Sequence, residues 1–236
     1  MTFPMRINKY LSEQKIASRR EADVLISDKN VIVNGKPAVL GQMIEDGDVI
    51  ELKGAPKKYV YIAYYKGRGI ISHSPAENEV DIATRLKKDY SITNVSTVGR
   101  LDKDSEGLII LTNDGRITGP LLDPEAKHEK EYEVTLDKPI TGMFVKLMEL
   151  GVDIEGYRTK PAVVKTGARN NKKFHLTITE GKKHQIRRMC AALGYQIQTL
   201  KRVRVMNVEL GELKPNQYKK INGEELQKLL KKLGIK

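Results

Sequence analysis

Near the start of the chain Ile7, Tyr10 and Leu11 recur at spacings of three and four, which predicts a short first helix. Ser18 followed by Glu21 in SRREADVLISDKN forms a capping box, in which hydroxyl and carboxylate each satisfy a free amide of a first turn, so a second helix is expected to begin there. VIVNGKPAVLG and DGDVIEL then read as short strands turning at Asn34-Gly35 and Asp46-Gly47. Residues 5 to 52 are expected to form a unit of two helices and a small sheet. KGAPKK (53 to 58) has linker composition, so the expected division is an N-terminal domain with its linker over 1–56 and a larger domain over 57–236.

From Tyr59 onward the pattern is mainly one of short strands, expected at 59–65, 69–72, 107–112, 130–136, 162–166, 173–179 and 199–209. Two helices stand out. Ile186, Met189, Cys190 and Leu193 predict one over 182–194, and Leu226, Leu229, Leu230 and Leu233 predict another over 223–234. Strands alternating irregularly with a few helices indicate an α+β fold. Neither a G-x-x-x-x-G-K loop nor a G-x-G-x-x-G fingerprint occurs, which disfavours nucleotide-driven chemistry and a nucleotide cofactor.

Charge changes the picture. Across 236 residues, 42 Lys and Arg stand against 30 Asp and Glu, a net +12, which makes a polyanion the first partner to consider. The excess is concentrated in KKHQIRRMCAALGYQIQTLKRVR (182 to 204), which carries seven Lys or Arg and no acid, as a phosphate-tracking surface would. With one cysteine, Cys190, no intrachain disulfide is possible. The longest apolar stretch, Tyr59 to Tyr65, is far too short to span a bilayer, and MTFPMRINKY lacks the apolar core of a signal peptide. The expectation is a soluble cytoplasmic protein with no membrane partner.

Candidate chemistry lies in VGRLDKDSEGLIILTNDGR (98 to 116), where Asp102, Asp104, Glu106 and Asp114 surround an apolar strand in an otherwise basic chain. Asp102, Asp104, Glu106 and Gly107 match positions one, three, five and six of a calcium loop, but position twelve would be Asn113, and no metal is expected. Asp102 and Ser105 can equally serve as turn-forming side chains before a buried strand. The four histidines lack ligand spacing, no G-x-S-x-G elbow is present, and Cys190 falls on the apolar face of its helix. If a side chain does covalent chemistry, a carboxylate is the best candidate.

At this point the chain becomes recognisable. GRLDKDSEGLIILTNDG closely resembles the signature G-R-L-D-x-x-S-x-G-L-x-x-x-T-N-D-G of the bacterial ribosomal RNA pseudouridine synthases that carry an alpha-L RNA-binding domain in front of the catalytic domain. RINKYLSEQKIASRREADVLISDKNVIVNG resembles the alpha-L domain, KEYEV (130 to 134) the tyrosine motif, and HQIRRMCAALGY (184 to 195) the motif carrying a basic residue. One departure is clear: the family's K-P-x-G is here Lys66-Gly67-Arg68-Gly69.

The resemblance implies a mixed-sheet α+β catalytic domain over 57–236 and an isomerase that needs no cofactor. Asp102 would be the nucleophile, adding to the uracil ring or to the ribose C1′. Arg187 would pair with it and keep it charged, and Tyr132 would stack on the uracil and mediate proton transfer at carbon 5. Ile186 would wall the uracil, Leu101 would be a further substrate-binding residue, and Arg100 would fill the gap left by an extruded uridine or grip its flanking phosphates. Lys9, Arg19 and Arg20 on the small domain, with Lys182 and Lys201 on the large one, would contact phosphates. The implied partner is ribosomal RNA, with the ending HQIRRMCAALGYQIQTLKRVRVMNVEL resembling the large-subunit branch that acts near the peptidyl-transferase region; tRNA is a further candidate, and a monomer is expected. The rival is a non-catalytic RNA-binding or ribosome-assembly factor, since an alpha-L unit alone predicts binding without chemistry.

Overall fold

The first helix is brief because the chain offers only one apolar stripe before Ser18. In the computed structural model, which describes residues 2–53, 58–73, 75, 76, 79–167 and 171–235, the N-terminal unit runs β1 (Met5–Arg6), α1 (Ile7–Glu13), α2 (Arg19–Ser27), β2 (Val31–Val33), β3 (Lys36–Pro37), β4 (Met43–Ile44) and β5 (Ile50–Leu52). The capping box is formed as expected: Glu21 N donates to Ser18 Oγ at 3.3 Å and Ser18 N to the Glu21 carboxylate at 3.0 Å. Strands pair in the order β3-β2-β5, β1 pairs β4, and Ile7, Leu11, Ala22, Ile26, Val31 and Ile44 close a small core of their own. Most of the expected linker, residues 54–57, lies outside the described residues.

The larger domain runs β6 (Tyr61–Lys66), α3 (Ile82–Tyr90), β7 (Ser96–Val98), β8 (Glu106–Thr112), a 3-10 turn at Gly115–Ile117, α4 (Thr118–Leu122), β9 (Lys130–Leu136) and α5 (Gly142–Leu150). It continues through β10 (Asp153–Ile154), β11 (Tyr157–Arg158), β12 (Val163–Thr166), β13 (Lys173–Ile178), α6 (Gln185–Ala192), β14 (Ile197–Val205), β15 (Val208–Glu209), β16 (Tyr218–Lys220) and α7 (Gly223–Lys232). Its sheet follows the order β12-β13-β9-β14-β8-β6-β16, with β7 and β15 added at the side and β10-β11 a separate hairpin. The β8–β14 pair is parallel and the others antiparallel, so the sheet is mixed, as the resemblance implied.

The run YIAYYK is apolar on both sides because β6 is buried on both faces. Ile62 and Tyr64 join Ile109 and Leu111 of β8 in one core, under α3, α5 and α6; Tyr61, Ala63 and Tyr65 join Leu108 and Ile110 in the other, under α4 and α7. Gly107 marks where β8 and β14 come closest: with φ +105 and an added Cβ that would lie 2.3 Å from Arg202 O, no side chain fits there.

Three expectations need correction. Residues 69–72 form no strand beyond the single bridge Ile71–Asp81, because Gly69 (φ +86) turns the chain so that its amide reaches Lys103 O at 2.8 Å. The expected strand 199–209 is two strands, β14 and β15, separated by a turn entered through Met206 (φ 54). The helix expected from residue 182 begins at Gln185, since His184 adopts the left-handed region (φ 51, ψ 26).

Candidate active site

The acidic loop ahead of β8 is clamped through its backbone. Ser72 Oγ donates to Leu101 O at 2.8 Å and accepts from Leu101 N at 2.9 Å, fixing the residue before Asp102 from both sides. Lys66, fully buried, donates to Gly67 O (3.2 Å), Ile70 O (2.7 Å) and Lys103 O (3.3 Å). Burial pushes its ammonium down to about 8, against the upward pull of Asp102, Asp104 and Glu106. Ser105 N closes a turn onto Asp102 O at 3.0 Å. With its backbone held from several elements, the loop leaves the Asp102 side chain 39% exposed.

Asp102 faces a cleft of about 620 Å³, large enough for an extruded nucleotide. Its walls include Leu101 and Ile186, and Tyr132 of β9 lies in it, 8% exposed, directly across from Arg202 of β14. Arg100, Lys130, Lys182, Lys183, Arg187 and Arg202 give the lining six cations against the two carboxylates of Asp102 and Glu180. Glu180 is 4% exposed and occupied by Tyr157 Oη (2.5 Å), Gln185 Nε2 (2.5 Å) and Lys160 N (3.0 Å). Asp102 is therefore the cleft's one carboxylate open to a ligand among the described residues.

The expected site residues are thus mostly together: Arg100, Leu101, Asp102, Tyr132, Lys182, Ile186 and Arg187 all line this cleft. Arg187 is turned differently from the expected pairing. Its Nη2 donates to Asp104 O (3.1 Å) and reaches Ser105 Oγ (3.5 Å), gripping the loop's backbone, while the side chain against the Asp102 carboxylate is His184, Nε2 to Oδ1 at 3.5 Å. Lys182 rests over the ring of Tyr157 at 4.8 Å. Lys201 is absent from the lining: β14 alternates, so with Arg202 facing Tyr132 the Lys201 ammonium emerges on the other face and pairs with Glu133 at 3.0 Å.

The basic passage 182 to 204 is accordingly divided by the fold. Arg188 pairs with Glu155 (2.7 Å), Arg204 with Glu129 and Glu131 (3.0 and 2.9 Å), and Arg202 donates to Leu108 O at 2.7 Å. Of this passage Lys182, Lys183 and Arg187, with Arg202, line the cleft. On the small domain Lys9 lies 3.6 Å from Glu13, and Arg19 and Arg20 are exposed on the first turn of α2.

Sequence reasoning missed Ser72, Lys66, Lys130, His184 and Arg202. The signal for Lys130 was present, since period two places it on the same face as Tyr132, and Lys66 stands at the head of the family's K-P-x-G; Ser72 gave none, because its partner is the backbone of Leu101, distant in sequence. The departure at Gly67 has a local explanation: its amide donates to Asn216 Oδ1 at 3.3 Å, a bond proline cannot make. Cys190 is fully buried and its thiol is pushed up to about 12, so it supplies no nucleophile. No three His, Cys, Asp or Glu among the described residues converge as a metal site would require.

Residues 60–192 match the family model for RNA pseudouridylate synthase, and residues 5–50 match that for the S4 domain. The chain is similar to the dual-specificity RNA pseudouridine synthase RluF of Escherichia coli (strain K12), 42% identical over 236 residues, covering 96% of this chain and 79% of that protein. It is also similar to an uncharacterized RNA pseudouridine synthase, YtzG, of Bacillus subtilis (strain 168), 35% identical with 95% and 98% of the two chains covered. A crystal structure of a pseudouridylate synthase superposes with TM-score 0.70 at 29% identity, over 95% of this chain and 99% of the other.

Proposed function

The chain belongs to the RNA pseudouridine synthases, with an S4 domain ahead of the catalytic domain, and from that premise we propose that it isomerises a uridine of ribosomal RNA through Asp102. The observation that carries the assignment is a single open carboxylate in a cleft otherwise lined by cations and apolar walls. The reaction breaks the bond from C1′ to uracil N1, turns the detached base and rejoins it through carbon 5; the carbon 5 proton leaves and N1 gains one, with no change of oxidation state. An ionised carboxylate can take up the transient bond to sugar or base that such a detachment requires.

In this reading Leu101 and Ile186 hold the base, Tyr132 stacks on it and passes the carbon 5 proton, and Arg187 keeps the acidic loop in shape. Arg100 and Lys182 take the phosphates beside the extruded uridine, as a base-flipping enzyme needs to offset unstacking. The S4 domain, with Arg19 and Arg20, orients the substrate by raising effective concentration at the correct hairpin. The target is a large-subunit uridine near the peptidyl-transferase region; since the RluF relatives are dual-specificity enzymes, a second RNA such as tRNA is a candidate substrate. A monomer acting in the cytoplasm is part of the same reading; separately, no described helix is long and apolar enough to cross a membrane.

The test is Asp102→Asn, which preserves shape but removes the nucleophile. Tritium release from carbon 5 of labelled uridine should fall to background while RNA affinity stays within about threefold, well inside one 1.4 kcal/mol decade. Turnover persisting in this variant would reject Asp102.

A further inference from the structure

We propose that His184 is a positioning residue of the Asp102 carboxylate, beside the Arg187 that grips the same loop. The inference rests on Asp102 being the nucleophile, and it concerns how one of its oxygens is held. His184 Nε2 lies 3.5 Å from Asp102 Oδ1, within reach of a donated proton once substrate excludes water from the cleft, whereas Arg187 is committed to Asp104 O and Ser105 Oγ. A contact to one oxygen leaves the other for the substrate.

The backbone is shaped for that contact. His184 sits in the left-handed region (φ 51), which a side chain with a Cβ occupies at a cost and keeps only where its surroundings dictate it. Those surroundings are a closed buried network. Lys182 N donates to Gln185 Oε1 (2.9 Å) and Gln185 N to Lys182 O (3.1 Å), locking the turn from both ends. Gln185 Nε2 then donates to Glu180, whose second oxygen is taken by Tyr157, so the turn is tied to β11 and to the segment entering α6. The imidazole itself, 50% exposed, points from this rigid turn to the carboxylate rather than into the core. A core histidine would need no such frame.

The decisive variant is His184→Gly, because glycine takes the left-handed backbone without strain and removes only the ring. Single-turnover rates at saturating RNA are measured on transcripts tritiated at uracil carbon 5 that the wild type modifies, alongside RNA affinity and thermal unfolding. The expected result is a rate loss of about tenfold or more, unfolding and affinity close to wild type, partial restoration by millimolar free imidazole, and partial retention in His184→Gln, whose amide can donate from similar reach. An unchanged rate overturns the proposal. So does weakened affinity with full rate at saturation, which makes His184 a phosphate contact, and so does a lost rate that neither imidazole nor glutamine restores, which makes it a structural part of the turn. Asp102→Asn run in parallel separates the two readings: if it is inactive and unresponsive to imidazole while His184→Gly is fully active, the positioning role alone falls, and if it is active the nucleophile assignment falls with it.

Discussion

Asp102 and Asp114 stand at the two ends of β8 within one motif, and the fold gives them opposite environments. Asp102 is held open by a loop whose backbone is bonded to Ser72 and Lys66 outside it and closed on itself by Ser105 N to Asp102 O. Asp114 is fully buried, accepts from Tyr61 Oη, and is chelated by Arg116 Nε and Nη2 at 2.8 and 2.9 Å. Burial alone would raise the Asp114 carboxyl, but the hydrogen bonds from Arg116 and Tyr61 outweigh it and hold it below the usual carboxylate range. Because the folded value lies below the unfolded one, near 3.9, this group stabilises the protein above about pH 4 and the contribution is lost as pH falls through the folded value. Asp114→Asn should therefore cost about 3–5 kcal/mol at pH 7, by leaving Arg116 without its charge partner. Urea melts check it: the gap between variant and wild type should narrow below about pH 4, and a gap that is constant with pH would mean the carboxylate is not ionised in the fold.

The start of α2 serves two purposes at once. Ser18 caps the helix, and an added Cβ on Gly115 would fall 2.5 Å from Ser18 Oγ and 2.9 Å from the Glu21 carboxylate, so the capping box rests directly on the turn that follows β8. Lys15 adds a second tie, donating to Leu233 O and Gly234 O at the end of α7 at 3.0 and 3.1 Å. Ser18→Ala should destabilise the small domain by about 1 kcal/mol, the ordinary cost of a lost N-cap, measured as earlier amide exchange in residues 19–27 with exchange in β6 and β8 unchanged. Gly115→Ala should instead leave both cores intact and loosen the junction, read as faster proteolysis between the domains; equal proteolysis in wild type and variant would show that the contact does not hold them.

At the scale of the whole molecule, removing residues 1–56 should leave a folded domain, since among the described residues the two cores on either side of the large sheet draw on none from the small one. The loss of the Ser18 and Lys15 contacts should lower its Tm by a few degrees, as about 1 kcal/mol does in a domain of this size. Modification of a hairpin carrying the target uridine should recover at high RNA concentration; failure at every concentration would mean that the small domain helps build the site. Lys182→Ala should flatten the plot of log affinity against log salt by about one unit, and Lys201→Ala, paired with Glu133, should leave it nearly unchanged. What the sequence by itself determined is whatever is local in chemistry: the capping box, the apolar double-sided strands, the strand–helix mixture, and, by likeness of the motif around Asp102, the family. Even α3 and α5 escaped it: α3 carries little apolar beyond Ile82 and Leu86, and in α5 the apolar residues run round the helix, Met143, Leu147 and Leu150 exposed beside the buried Phe144 and Met148, so no one-sided stripe is written. Tertiary structure alone decided which charges remain free, because an ion pair such as Arg204 with Glu129 and Glu131 joins residues far apart in the chain. It decided likewise that His184 rather than Arg187 meets Asp102, since that depends on a left-handed turn locked by a buried glutamate, and no spacing of residue types encodes where such a turn will point.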